Sequence, residues 1–490
     1  MIFRRQVELL KDALAYGTSS ILQKLVGFLL IPLYTRYLEP SDYGILAMLM
    51  VMQASVEAFV LLGQKSSVFR RVGLANSDAE KATALTMGIF LVATSGITAL
   101  ILGQVFAREL CDFFIGEEHD VNLVRITLGT SFMNVICEMP RIALQASRKA
   151  KLAATLTAIQ AFATMILAVI FVVVFELGVW GIVWAAFAAM LPSCVAYLVI
   201  VAKIYGYRWD TLITRDLIQY GLPFVPHRLQ MMLFAMFGEY LIRNKLGLDD
   251  VGIYNIAKKF SLPLAAIVKS LTSAWWGYKF HLFKKEKDPA EAISSMTTYT
   301  LAGLTYAWLG VSLWAPEVLF LFTPDKFHSA ASLIPALALY FMLTGLYQML
   351  TSGIELGDNA KPILLVGFTG LVVVVPLSIY TVDFAGAAGV AWSLCVAQAA
   401  LTFTGYKIAQ SRFKISYAWN LQASLFLFGV VIVITGRFYS TLDLVPRIGL
   451  ITVLSIIFPV IVFMLLARSK SERERMSQVL KYFRKKEQDN

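Results

Sequence analysis

Tyr16–Gly44 reads YGTSSILQKLVGFLLIPLYTRYLEPSDYG: an apolar run long enough to cross a bilayer, a short turn, and the start of a second run. Near the middle of the first run sits Lys24, where hydrocarbon would be deepest. Gly17, Ser20, Lys24 and Gly27 fall three or four residues apart and share one helical face. That face is small and polar; the remainder is Leu, Ile, Val and Phe. A lysine at such depth costs at least about 2.5–3.5 kcal/mol, so it belongs in a protein interior or a water-filled cavity.

Outward from this stretch the same texture continues. Of the 490 residues, 58% are hydrophobic and 15% charged, with a mean hydropathy of +0.69. A soluble chain carries about 25% charged residues. Apolar runs near 20 residues predict about fourteen helical spans, at 13–34, 43–64, 82–106, 122–146, 152–175, 178–202, 216–240, 251–276, 293–315, 330–352, 362–382, 384–406, 418–436 and 447–467. The chain reads as an all-α polytopic membrane protein. Cys111, Cys137, Cys194 and Cys395 have no metal spacing and imply neither a disulfide framework nor a redox pair. No cleavable signal is expected, since the first run is too long and lacks a small-residue cleavage site.

The net charge of +11 would suggest nucleic acid in a soluble protein. Here the excess sits in loops of one parity. Thirty loop and tail cations fall on one side and seven on the other, which predicts both termini in the cytoplasm and no nucleic-acid partner.

The opening stretch has an echo. Tyr220-Gly221 opens another run 204 residues later, and the same offset places Arg228 on Lys24. Leu38-Glu-Pro-Ser-Asp-Tyr-Gly44-Ile matches Leu246-Gly-Leu-Asp-Asp-Val-Gly252-Ile at an offset of 208. Ala150-Lys151 matches Ala360-Lys361 at 210, and Gly178-Val-Trp-Gly181-Ile-Val-Trp184 matches Gly386-Ala-Ala-Gly389-Val-Ala-Trp392 at 208. Four matches in order near one offset indicate duplication of a six-helix unit. An even helix number gives both halves one orientation, related by a pseudo-two-fold axis along the membrane normal. The expected organisation is an N-terminal lobe at 1–215, a C-terminal lobe at 216–410, two extra spans at 411–467 and a basic tail at 468–490.

These residues also carry a resemblance. IPLYTRYLEPSDYGILAML, Phe327-His-Ser-Ala-Ala-Ser-Leu-Ile-Pro335-Ala-Leu-Ala-Leu and the Gly386–Trp392 segment resemble the polysaccharide-export flippases of the multidrug/oligosaccharidyl-lipid/polysaccharide superfamily, the Wzx-type O-antigen or capsule-repeat flippases. The resemblance covers nearly the whole chain through scaffold motifs. It implies two six-helix lobes around a central cationic cavity, in a bacterial cytoplasmic membrane. It also implies movement of undecaprenyl-diphosphate-linked oligosaccharides to the outer leaflet by alternating access, for surface polysaccharide such as O-antigen, capsule or exopolysaccharide. Partners implied are that lipid-linked glycan, membrane lipids, and polysaccharide polymerase and chain-length proteins. No catalytic signature, cofactor or metal comes with it.

Candidate site residues follow from position and chemistry. Lys24 and Arg228 lie about a dozen residues into their runs, too deep for easy snorkelling, and a diphosphate needs charge-assisted donors. Lys258 and Lys269, eleven apart, return to one helical face with Asn255, Ser261 and Ala265, whereas Lys259 falls on another. Snorkelling to headgroups is the plainer reading for Lys269. Glu57 has no partner in its own helix and is a candidate to pair with a cavity cation or to bind a coupling ion. Glu138 reads as a local pair with Arg141 or as part of a relay. His227 lies about 100° around the helix from Arg228 and reads as a satisfied core histidine or a proton relay. Trp275-Trp276 reads as an interfacial belt.

Two alternatives remain. An ion-coupled drug antiporter of the same fold would need an acid-rich cavity for cationic drugs. A membrane polymerase or ligase would need a sizeable outside loop, and the longest, Ala107 to Val121, is short.

Overall fold

The computed structural model describes residues 27–28, 30–61, 63–147, 149–222, 225–285, 289–354, 361–438 and 443–468. Lys24 and the tail beyond Arg468 lie outside them. Among the described residues the chain is helical, without strands: α1 (Ile31–Tyr37), α2 (Pro40–Val60), α3 (Gln64–Leu74), α4 (Asp78–Val105), α5 (Ala107–Phe114), α6 (Val121–Ala146), α7 (Ala150–Val169, running into a π-turn at Ile170–Val174), α8 (Gly178–Tyr205), α9 (Thr211–Gly221), α10 (Val225–Lys245), α11 (Leu248–Lys285), α12 (Pro289–Phe322), α13 (Ile334–Leu350), α14 (Lys361–Arg412), α15 (Trp419–Phe438) and α16 (Leu444–Arg468).

Local chemistry sets the ends of these helices. Pro40 occupies the first turn of α2, where its missing N–H costs nothing, and Asp42 Oδ2 accepts the Glu39 backbone N–H at 2.9 Å. Ser77 caps α4 through the Glu80 N–H, Asp120 caps α6 through Asn122, and Asp210 caps α9 through Leu212.

Nine helices among the described residues are long and apolar enough to cross a membrane, ten if the bent pair Asp325–Ser332 and Ile334–Leu350 counts as one span. That pair bends by 47° where one continuous span at 330–352 was expected. α14 holds two expected spans, separated at Gly386 (φ 56°). α6 and α10 have spanning length but are not among the nine; they are too polar, and the residues that make them so build the site below. The expected span 216–240 is broken into α9 and α10, consistent with Pro223 falling between them in sequence and Pro226 in the first turn of α10, where a proline is tolerated.

The internal repeat is visible in backbone detail. Gly178 and Gly386, equivalent at 208, both adopt left-handed φ, 55° and 56°. One turn on, a Cβ at Gly181 would press on the Phe171 carbonyl carbon, and one at Gly389 would collide with the Thr381 carbonyl. Each repeat thus folds a helix tightly back on its predecessor.

The chain forms two compact units. The first comprises residues 1–259, 320–333 and 361–401; the second comprises 260–319, 334–360 and 402–490. In the first, Leu85, Met87, Val135, Met139, Leu144 and Tyr197 belong to a core where α4, α6 and α8 meet. In the second, Trp275 packs with Ile293, Met349 and Ile415. Its indole donates to Ser352 Oγ at 2.8 Å, so Trp275 is a core residue and not an interfacial one. A half-buried pair, Arg447 Nη2 to Glu317 Oε2 at 2.6 Å, ties α16 to α12.

Candidate functional site

The polar residues of α6 face two breaks in neighbouring helices. α2 ends at Val60, with Leu61 as its C-cap, and the chain turns through Gly63 at φ 74°, which brings Gly63 against the backbone of Gly221 at the end of α9. α3 then runs beside α6, with Ser67 Oγ donating to the Leu217 carbonyl at 2.8 Å and Arg70 over the Tyr220 ring at 4.5 Å.

Asn134 lies halfway along α6, a helix of 26 residues and therefore about 39 Å. Its Nδ2 donates to Glu57 Oε1 at 2.5 Å, which sets Glu57 at the level of the helix midpoint. Gln53 Nε2, one turn back on α2, donates to the same oxygen at 3.2 Å. The expectation that Glu57 lacks a partner in its own helix is therefore corrected: Gln53 at i−4 is that partner. Both donors are carboxamides, and no ion pair to Glu57 forms among the described residues.

One turn along α6, Glu138 receives Arg141 Nη1 at 2.7 Å on one oxygen and Lys65 Nζ on the other. The local pair with Arg141 is present, and Lys65 joins it from another helix. Arg141 also stacks over Tyr197, 5.6 Å from the ring centroid, and Tyr197 is tied down by the Ala153 carbonyl and Thr157. Arg228, in the first turn of α10, is half-buried and acts on the Glu138 charge through space. It makes no hydrogen bond or ion pair among the described residues. Lys65 and Glu138 in turn act on Glu57. Three cations and two carboxyls thus share one region of the first unit.

Two further polar contacts lie on α11. Lys258 Nζ meets Glu239 Oε1 at 2.6 Å, and Glu239 is 3% exposed. Lys258 is therefore neutralised by a carboxylate. Its neighbour Lys259 lies 4.5 Å over the ring of Tyr43, which also meets Phe327 edge-on at 5.5 Å. Lys269 is exposed and belongs to the second unit. The backbone of His227 is in α10, and its side chain lies outside the described set.

Three participants were not expected from the sequence. Lys65 counts as a loop cation when a span is drawn through residue 64, yet the break at Gly63 folds it back onto Glu138. Glu239 reads from the sequence as too near the outer surface to be pressed, and Lys259 lies about 100° around the helix from Lys258. A spacing signal existed for Gln53–Glu57, which are i and i+4.

A small apolar void of about 10 Å³, lined by Val56, Val60, Gly96, Leu100, Leu128, Phe132 and Val135, lies beside this region of the first unit. Among the described residues no group of three or more His, Cys, Asp or Glu could hold a metal ion.

The fold is shared with solved transporters. An inward-closed structure of the lipid II flippase MurJ matches with a TM-score of 0.67 at 13% identity, over 92% of this chain and 98% of that one. An inward-facing multidrug resistance MATE family transporter of the MOP superfamily matches with 0.64 at 18%, over 82% and 98%. An outward-facing structure of a MATE family transporter matches with 0.59 at 18%, over 83% and 95%. No curated protein matches the sequence significantly. Residues 9–276, more than half the chain, match the polysaccharide biosynthesis protein family. This multi-pass helical membrane protein belongs to that family.

Proposed function

We propose that the protein flips undecaprenyl-diphosphate-linked oligosaccharide repeat units across the bacterial cytoplasmic membrane by alternating access, with both termini cytoplasmic. The membership in a polysaccharide biosynthesis family and the fold shared with a lipid II flippase support this reading. The observation that carries it is the cluster around Glu138, where Lys65, Arg141 and Arg228 outnumber the carboxylates within helices of a membrane protein. A surplus of cations there suits a doubly ionised diphosphate, and the Arg228 guanidinium, without a bonded partner among the described residues, offers the planar fork that donates to phosphate oxygens. Lys24, equivalent to Arg228 in the repeat, is proposed to face the same ligand. Lys258 is set apart, since Glu239 already holds its charge, and Lys269 is proposed to meet headgroups.

The protein is proposed to act as a transporter, not an enzyme, and to hand its glycan to a polymerase and chain-length system. The test is protein-dependent movement of a fluorescent undecaprenyl-diphosphate-linked oligosaccharide in proteoliposomes, read by loss of access to an impermeant lectin. Movement that falls at least tenfold in Lys24→Ala and Arg228→Ala is expected. Movement of a cationic drug in place of the lipid would overturn the reading in favour of an antiporter.

A further inference from the structure

α8 ends at Tyr205, and Gly206, at φ 73°, lets the chain double back along α4. The Arg208 backbone N–H donates to Thr86 Oγ1 on α4 at 3.1 Å. Trp209 then meets Phe90 edge-on, with ring centroids 4.6 Å apart, and the Tyr207 hydroxyl donates to the Leu198 carbonyl at 3.0 Å. Phe90 and Leu198 lie further into their spans than Thr86 and Tyr205. The two aromatic side chains therefore lean into the bilayer, while Arg208 is exposed at the turn.

The level of this turn follows from α4. Its 28 residues span about 42 Å against a hydrocarbon core of about 30 Å, so its polar first turn, Asp78 to Lys81, stands among the headgroups. Thr86 is five residues on, about 8 Å deeper, which holds Arg208 at the base of the headgroup layer. A second cation reaches the same turn. Lys149, between α6 and α7, lies 5.0 Å over the Tyr205 ring, and the Tyr205 hydroxyl is buried without a hydrogen-bond partner among the described residues.

The carboxylates of this region are already engaged. Asp78 bonds Lys81 at 2.8 Å, Glu80 accepts the Asn76 N–H, and Asp210 accepts the Leu212 N–H. Arg208 and Lys149 have no carboxylate within ion-pair distance among the described residues. We propose that the Tyr205–Trp209 turn is a binding site for an anionic glycerophospholipid. Arg208 and Lys149 donate to its phosphate, with the Tyr205 hydroxyl as a further donor, and an acyl chain lies along Trp209 and the exposed Leu212. Aromatic rings at the same turn, on the hydrocarbon side of the cations, favour a lipid over a free anion. A zwitterionic headgroup would bring its own ammonium against the two cations. The inference rests neither on the transported substrate nor on which face is cytoplasmic.

Native mass spectrometry of the full-length protein in detergent, titrated with phosphatidylglycerol or phosphatidylethanolamine, tests the site. Phosphatidylglycerol should bind at least about tenfold more tightly. Arg208→Ala and Lys149→Ala should each weaken it about fivefold, and together about twenty-five-fold, with phosphatidylethanolamine unchanged. Arg208→Lys should keep most of the preference, and Trp209→Ala should weaken both lipids alike. Lys149→Gln retains the stem over Tyr205 and replaces the alanine variant if that one loosens the fold. Lys414→Ala, an exposed cation of the second unit, should change nothing. Equal binding of the two lipids, or a preference that survives the double variant, overturns the proposal. So does an equal loss in Lys414→Ala, which would mean diffuse surface charge. Displacement of phosphatidylglycerol by millimolar inorganic phosphate would make this a free-anion site, and displacement by a short prenyl diphosphate would make it a substrate site; either overturns the phospholipid assignment.

Discussion

Gly44 and Gly252 face each other reciprocally across the start of α2 and α11. A Cβ at Gly44 would run into the Leu248 carbonyl, and one at Gly252 into the Pro40 carbonyl and the Gly44 nitrogen. Pro40 and Leu248 are 208 residues apart, as are Gly44 and Gly252. Each repeat therefore presents the same glycine to the same carbonyl of the other, which is what a local two-fold axis between the two helices produces.

Alanine at either glycine should destabilise the protein by about 1–3 kcal/mol, because the obstacle is backbone and cannot rotate aside. Since both substitutions push the same pair of helices apart, the double variant should cost less than the sum. Thermal unfolding in detergent of the two singles and the double checks this. Additive losses would mean that the two sites yield independently.

Glu138 and Arg228 should separate stability from transport. Glu138→Gln leaves Lys65 and Arg141 without their shared counter-charge and should cost about 3–5 kcal/mol of stability. Arg228→Ala removes a cation with no bonded partner among the described residues and should leave the unfolding temperature within a few degrees of the parent while flipping falls at least tenfold. Arg228→Lys should recover less than half, since the ammonium keeps the charge but not the fork. Equal loss of stability in Glu138→Gln and Arg228→Ala would refute the division.

Glu239→Gln removes the carboxylate that Lys258 meets. More than a third of the Lys258 side chain is exposed (38%), so solvent screening puts the expected cost below the buried-pair range, at about 1–3 kcal/mol. Adding Lys258→Met should return part of it. If instead Lys258→Met alone abolishes flipping at normal stability, Lys258 belongs with the ligand-binding cations.

Topology can be read by labelling. All four native cysteines are buried, so introduced ones report cleanly. Cysteines at the exposed positions Glu117 and Asp325 should react with an impermeant maleimide in intact cells, and those at Ser77 and Lys414 only after permeabilisation. Labelling of Ser77 in intact cells would invert the assignment.

Hydrocarbon imposes its rule on every span separately, so runs of apolar residues were enough to determine the class of fold. The repeat was legible for a related reason: Gly44/Gly252 and Gly178/Gly386 are fixed by close backbone approach and by φ, and those needs show as glycines at one offset. The site was legible only in part. Glu57, Glu138 and Arg228 stand out because a charge in an apolar run is rare. What each one does depends on partners far away in sequence. Asn134 is 77 residues from Glu57, and Lys65 reaches Glu138 because the chain breaks at Gly63 and folds α3 along α6. Likewise Lys258 and Lys259 are neighbours of identical type in the sequence. Packing gives one a carboxylate and the other an aromatic ring, because adjacent side chains on a helix point about 100° apart and meet different helices.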